Sequence, residues 1–232
     1  MLKKPLPGNK HKCYPVLFQT KSRQELKLTE DQSEKLAIKE VIENWVIWRD
    51  AGLWDRFPEC WHEEGMMIAT WFQDHWTKFI ETNKIGFDKG LNILHMLGAN
   101  SIDLAGTRAI SQTKTTVLQR APIHDILCDV TCQGRHYDFF EKRDGRWAIV
   151  LRQSIFEKDW VTTVDPGGTI PFDKALLAEF PEGYRHLGYL QSQIGYNVSR
   201  KIPGVKGPEV EEVYNRGAAW LAGEPGPPKP YF

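Results

Sequence analysis

An excess of charge of either sign is absent from this 232-residue sequence: 30 lysines and arginines stand against 30 aspartates and glutamates, so the formal charge is zero. No chain-wide positive field exists to hold a phosphate backbone or an anionic lipid surface, which removes nucleic acid and membrane from the expected partners. Cysteine is scarce too. Cys13, Cys60, Cys128 and Cys132 have neither the paired spacing of a zinc site nor the density of a disulfide scaffold, so free, partly buried thiols and no metal centre are expected. Long apolar runs are also missing. No stretch approaches the ~20 residues of a membrane span, and the N-terminal MLKKPLPGNKHKCYPVLF has positive charge without a continuous apolar segment. A soluble, cytoplasmic protein is the expectation. Nor does the chain carry a glycine-rich phosphate loop, a Gly-x-Ser-x-Gly elbow, a His-Glu-x-x-His helix or an internal repeat.

Aromatic side chains, by contrast, are plentiful: 12% of the residues, nine of them tryptophan. Such a set either fills a core or lines an apolar ligand cavity, and Trp45, Trp48, Trp71 and Trp76 are candidates for either. Residues 1–28, rich in Pro, Lys and Gly, read as an N-terminal arm. Thr29 then opens a helix whose apolar positions, from Leu36 through Ile42 and Trp45 to Trp48, recur at three and four until Gly52 stops it. A short helix over 53–61, a strand over 66–71 and a helix over 74–83 are predicted next. From Ile93 to Ile155 the pattern is β, broken at AGT, at Ala121-Pro122 and at Asp144-Gly145. After Trp160 it ceases, and helices are expected from Lys174 and over 208–221, ahead of a Pro-rich tail. Helices followed by a meander imply an α+β body over 29–160, a curved antiparallel sheet against N-terminal helices with a hollow between them. Residues 161–232 form a C-terminal extension, whose stretch YRHLGYLQSQIGYNV either lies across the cavity mouth, makes subunit contacts or packs passively.

Two residues raise a chemical question. Asp50 stands at the end of the first helix, where the helix dipole disfavours a carboxylate. His95 interrupts the apolar run ILHML and needs a hydrogen-bond partner. It is either a satisfied core histidine or, with Asp50 holding its tautomer and raising its basicity, a general base. Arg152 either neutralises an acidic substrate or pairs with an exposed carboxylate; Asp55 reads as a helix-start or ion-pair residue, and His75 and His124 as surface residues.

The runs WVIWRDAGLWDRF, ILHMLGANSIDL and GRHYDFFEKRDGRWAIV resemble the SnoaL-like branch of the nuclear transport factor 2 superfamily over residues 30 to 160. That branch contains scytalone dehydratase, hexachlorocyclohexane dehydrochlorinase and a bile-acid dehydratase. The resemblance implies a cone-shaped α+β barrel with a deep apolar pocket and an Asp-His dyad that starts elimination or isomerisation without metal or organic cofactor. Asp50, ahead of Trp54-Asp55, and His95, in HMLG, match the dyad positions. His136 falls where scytalone dehydratase has a pocket asparagine, and Gln119 where it has a second pocket histidine. Arg49 replaces a water-holding tyrosine, so scytalone itself is not the expected substrate. His136 alternates with Arg135 and Tyr137, so either His136 or that pair faces the cavity; Trp48 and Trp71 are expected to contact substrate as well. The implied activity is a cofactor-independent lyase for an apolar cyclic or aromatic small molecule, in a dimer or trimer of identical chains. A non-catalytic binding protein is the alternative, as is an epoxide-type hydrolase built on Asp50 and Arg135.

Overall fold

The computed structural model describes residues 28–225. The expected arm up to residue 27, Cys13 and most of the Pro-rich tail lie outside the described residues. Helix α1 runs Glu30–Asp50 and starts where its cap predicts. The Thr29 hydroxyl accepts the Gln32 N–H at 3.2 Å while the Gln32 side chain accepts the Thr29 N–H at 2.9 Å, a reciprocal cap. Its buried residues Ile38, Ile42, Trp45 and Arg49 share one stripe. Past Asp50 the chain turns at Gly52, whose φ of 69° is left-handed.

The next segment departs from the sequence reading. The helix expected over 53–61 is only a 3₁₀ turn, Phe57–Cys60, because Pro58 is tolerated in a first turn but Trp61 already begins strand β1 (Trp61–Ile68). That strand therefore starts five residues before the expected 66 and ends before 71. Asp74 belongs to the short strand β2 (Gln73–His75), and α2 spans Trp76–Asp88. His75 is not simply a surface residue. It is the N-cap of α2, its ring nitrogen accepting the Thr77 N–H at 3.3 Å.

Four long strands follow: β3 (Asn92–Ala105), β4 (Arg108–Ile123), β5 (Ile126–Arg143) and β6 (Arg146–Thr163). Asp144 and Gly145 both take positive φ in the expected hairpin turn. Ala121-Pro122 instead lies inside β4, and that hairpin turns at His124 and Asp125, again both positive in φ. The sheet order is β2-β1-β6-β5-β4-β3, with β1 parallel to β6 and every other pair antiparallel. It is an open, bent sheet rather than a closed barrel. One bend is a bulge between Gln133 and Gly134, where a side-chain carbon on Gly134 would fall 2.2 Å from the Ile155 carbonyl oxygen.

The extension forms α3 (Lys174–Glu179), α4 (Arg185–Gln193) and α5 (Pro208–Leu221). The middle one has no counterpart in the sequence reading. Asp159 of β6 anchors its start, accepting the Leu187 N–H at 2.8 Å and bonding the His186 ring at 2.9 Å. Helix α5 covers the opposite face of the sheet, with Trp220 donating to the Phe140 carbonyl at 3.2 Å and Tyr214 against Tyr137. Gly217 makes that approach possible, since a methyl there would meet the Tyr137 hydroxyl at 1.9 Å. Gly217→Ala should destabilise the fold by ~1–3 kcal/mol through overpacking. Denaturant unfolding measures this, and an unchanged midpoint would refute the close packing of α5.

Candidate active site

The end of α1 meets strand β3 through one carboxylate. Asp50 Oδ1 accepts from His95 Nδ1 at 2.9 Å and from Arg49 Nη1 at 3.0 Å, while Oδ2 accepts the His95 backbone N–H at 2.6 Å. A carboxylate that only accepts requires the His95 proton on Nδ1, which leaves the lone pair on Nε2, across the ring from Asp50. Arg49 is itself clamped: Nε and Nη2 donate to Asn83 Oδ1 at 3.1 and 2.9 Å, and Nη1 to the Ile93 carbonyl at 3.0 Å. The donors around Asp50 thus offset its unfavourable place at a helix C-terminus.

His95 lines a cavity between α1, α2, the sheet and α4. The Trp45 ring stands edge-on to both His95 and His136, centroids 5.6 Å apart in each case. From Trp45 an aromatic run leads outward through Phe79 and Trp71 to Tyr196, which lies 4.7 Å from Trp71. Behind Trp45, Arg152 and Asp138 form a wholly buried ion pair with contacts of 2.7 and 2.8 Å, the guanidinium 4.3 Å from the Trp45 ring centre. Arg152 therefore pairs with a buried carboxylate, neither the acidic substrate nor the exposed carboxylate of the two expected roles.

The enclosed volume is about 50 Å³, room for a few waters at roughly 10–15 Å³ each. A second hollow shares Arg49, Trp71, Asn83 and Ile93 with it and is lined by Tyr196 as well.

Of the residues singled out in the sequence, Asp50, His95, His136, Gln119 and Trp71 come together here. Trp48 does not. It stands about 100° round the helix from Arg49, under the Arg56 guanidinium at 4.5 Å. Tyr137 and Arg135 face the other side of the sheet, Tyr137 on Tyr214 and Arg135 bonded to Glu157 and Tyr214. The strand alternation thus resolves in favour of His136. It also separates Arg135 from Asp50, and the hydrolase set with it. Among the four candidate tryptophans, Trp45 and Trp71 are walls, while Trp76 donates to the Glu63 carbonyl at 3.1 Å outside the cavity. Exposed Asp55 takes no part; His124 bonds Tyr189 at 2.7 Å. Asn83, Thr70, Leu187 and Gln191 are wall residues the sequence reading missed. Only the aromatic and polar character of YRHLGYLQSQIGYNV pointed toward the last two.

Electrostatics set the protonation states. Burial works to raise the Asp50 carboxyl, but hydrogen bonding and electrostatic attraction from His95, together with the charge of Arg49, outweigh it and hold the group below the ordinary aspartate value. Burial lowers His95 below the usual histidine value, with Arg49 and Arg152 adding to the effect against the upward pull of Asp50. Asp50 thus raises the basicity of His95 only relative to an otherwise depressed ring. His136, buried and facing Arg152 and His95, is pushed well below the ordinary value. Both folded pKa values lie under the unfolded ~6.5, so the unfolded chain takes up protons first. The stability these rings contribute is complete above about pH 6.5 and is lost as pH falls. Melting temperature should drop between about pH 7 and about pH 5, and His136→Gln should flatten the slope, each histidine being worth up to about 1.4 kcal/mol per pH unit. A slope identical in the variant would contradict a buried neutral His136.

The family described as SnoaL-like domain matches residues 30–153. Pea pathogenicity protein 2 of Fusarium vanettenii is 32% identical over 206 residues, 82% of this chain and 87% of that protein. An uncharacterized protein of Aspergillus terreus is 31% identical over 189 residues, 74% of this chain and 70% of its own length. Among solved structures, a scytalone dehydratase-like protein from Novosphingobium aromaticivorans aligns with a TM-score of 0.47 at 16% identity, covering 62% of this chain and 96% of that one. A hexachlorocyclohexane dehydrochlorinase aligns at 0.46 and 12% identity, covering 61% and 95%.

Proposed function

The chain belongs to the SnoaL-like domain family, and on that footing we propose that it is a cofactor-independent lyase acting on a largely apolar cyclic or aromatic small molecule. The observation that carries this reading is the 2.9 Å contact between Asp50 and His95 Nδ1 at the wall of an aromatic-lined cavity. His95 Nε2 takes a proton from a carbon next to an electron-withdrawing group. The C–H electron pair becomes the new carbon–carbon double bond as the neighbouring hydroxyl departs. The same nitrogen returns its proton to that hydroxyl, which leaves as water, and the ring is restored. Asp50 keeps Nδ1 protonated and orients the ring throughout. Because His95 is held below the ordinary histidine value, it is unprotonated and ready as a base at neutral pH.

A panel of cyclic β-hydroxy ketones, followed by the ultraviolet absorbance of the conjugated product, tests the proposal. Asp50→Asn and His95→Asn should each lower turnover by about 10²- to 10⁴-fold and leave the melting temperature within a few degrees. Rings that bind wild type without elimination, and bind His95→Asn equally well, would refute the lyase and leave a binding protein. Unfolding of both variants with no specific loss of activity would return His95 to a structural role.

A further inference from the structure

Thr70, Gln119 and Gln191 are 1–3% exposed and all line the cavity. They form a directed chain. The Thr70 hydroxyl donates to Gln191 Oε1 at 2.6 Å, so the Gln191 amide is turned with Nε2 outward, and this donates to Gln119 Oε1 at 3.3 Å. Gln119 Nε2 is left buried with no hydrogen-bond partner among the described residues. Running the chain the other way would strip the Thr70 hydroxyl proton of its acceptor, since that hydroxyl bonds nothing else among the described residues. A buried amide N–H on the cavity wall is free to donate to an accepting atom placed in the cavity.

Register places this donor relative to the dyad. Ile93 pairs with Gln119 and His95 with Val117, so Gln119 is the diagonal neighbour of His95 on the cavity face, their backbones roughly 7–8 Å apart. Both side chains line the same cavity, so one small molecule can meet the imidazole and the amide together.

We infer that Gln191, contributed by the C-terminal extension, is a positioning residue that fixes the Gln119 amide as a donor, and that the cavity thereby selects small cyclic ketones by their carbonyl oxygen. This rests on the cavity being the substrate site, and it identifies the electron-withdrawing group of the proposed elimination. Gln119 donates to the carbonyl oxygen while His95 faces the carbon beside it. Reversing the amide would present an acceptor in its place and repel the same oxygen.

The test uses two five-membered rings of matched shape, cyclopentanone and methylenecyclopentane, with dissociation constants read by ligand-observed NMR on the full chain. Wild type should prefer the ketone by about tenfold. Gln191→Glu, whose carboxylate only accepts, should draw the Gln119 N–H toward itself and abolish the preference. Thr70→Val should weaken it. Gln119→Leu should remove it while still binding methylenecyclopentane, which keeps the inference testable if a buried carboxylate at position 191 prevents folding. His95→Asn should retain the preference, separating this subsite from the dyad. Equal affinity of wild type for both rings overturns this inference and leaves the lyase proposal standing. A preference undiminished in Gln191→Glu and Thr70→Val overturns the positioning role. Binding of neither ring to wild type overturns the small-molecule reading of the cavity and this inference together.

Discussion

The Asp50 carboxylate takes a backbone N–H and a ring N–H from His95 and a guanidinium N–H from Arg49. Through these bonds the last residue of a 21-residue helix is tied to the strand at the edge of the sheet. The tie sets three things at once. It fixes how α1 lies over the sheet, it selects the His95 tautomer, and with Asn83 holding Arg49 it links α1 to α2. A charge at a helix C-terminus is otherwise unfavourable. Its retention here follows from the number of donors aimed at it.

Around that contact the cavity is built from aromatic rings and neutral imidazoles backed by a buried cation. Arg152 and Asp138 are both removed from water, which is costly, and the two-point geometry of their pairing together with the Trp45 face offsets part of the cost. Burial lowers both His95 and His136, and the charge of Arg152 behind Trp45 adds to it, as does Arg49 at His95. Both rings are therefore held as bases rather than as imidazolium ions.

The extension after the sheet works on both of its faces. Helix α5 seals the side away from the cavity against Tyr137 and Phe139, while α4 brings Leu187 and Gln191 into the cavity wall. Asp159 joins the two regions by holding the start of α4 to β6. Its carboxylate grips a ring nitrogen and a backbone N–H, the same pattern that Asp50 uses on His95. No helix among the described residues is long and apolar enough to cross a membrane.

Local signals determined much of this protein. The Thr29 cap, the three-and-four spacing of α1, the Asp144-Gly145 turn and the α5 boundaries were legible because each depends on neighbours within a few residues. Asp50 and His95 stood out by resemblance, through the runs WVIWRDAGLWDRF and HMLG, and Gln119 only by its position in that resemblance; the structure brings the three to one cavity. Long-range packing decided the rest. Whether His136 or Tyr137 faces the cavity depends on sheet register and on which side α5 covers. That Trp48 turns from the cavity while Trp45 enters it depends on how α1 is rotated against the sheet. The wall residues Thr70 and Asn83 carry no local mark, and Gln191 only the general character of its stretch, because a polar side chain becomes a cavity wall only when distant elements close around it and withdraw water. The sequence alone determines which groups are available; their burial and mutual orientation, which decide what they can do chemically, exist only in the folded chain.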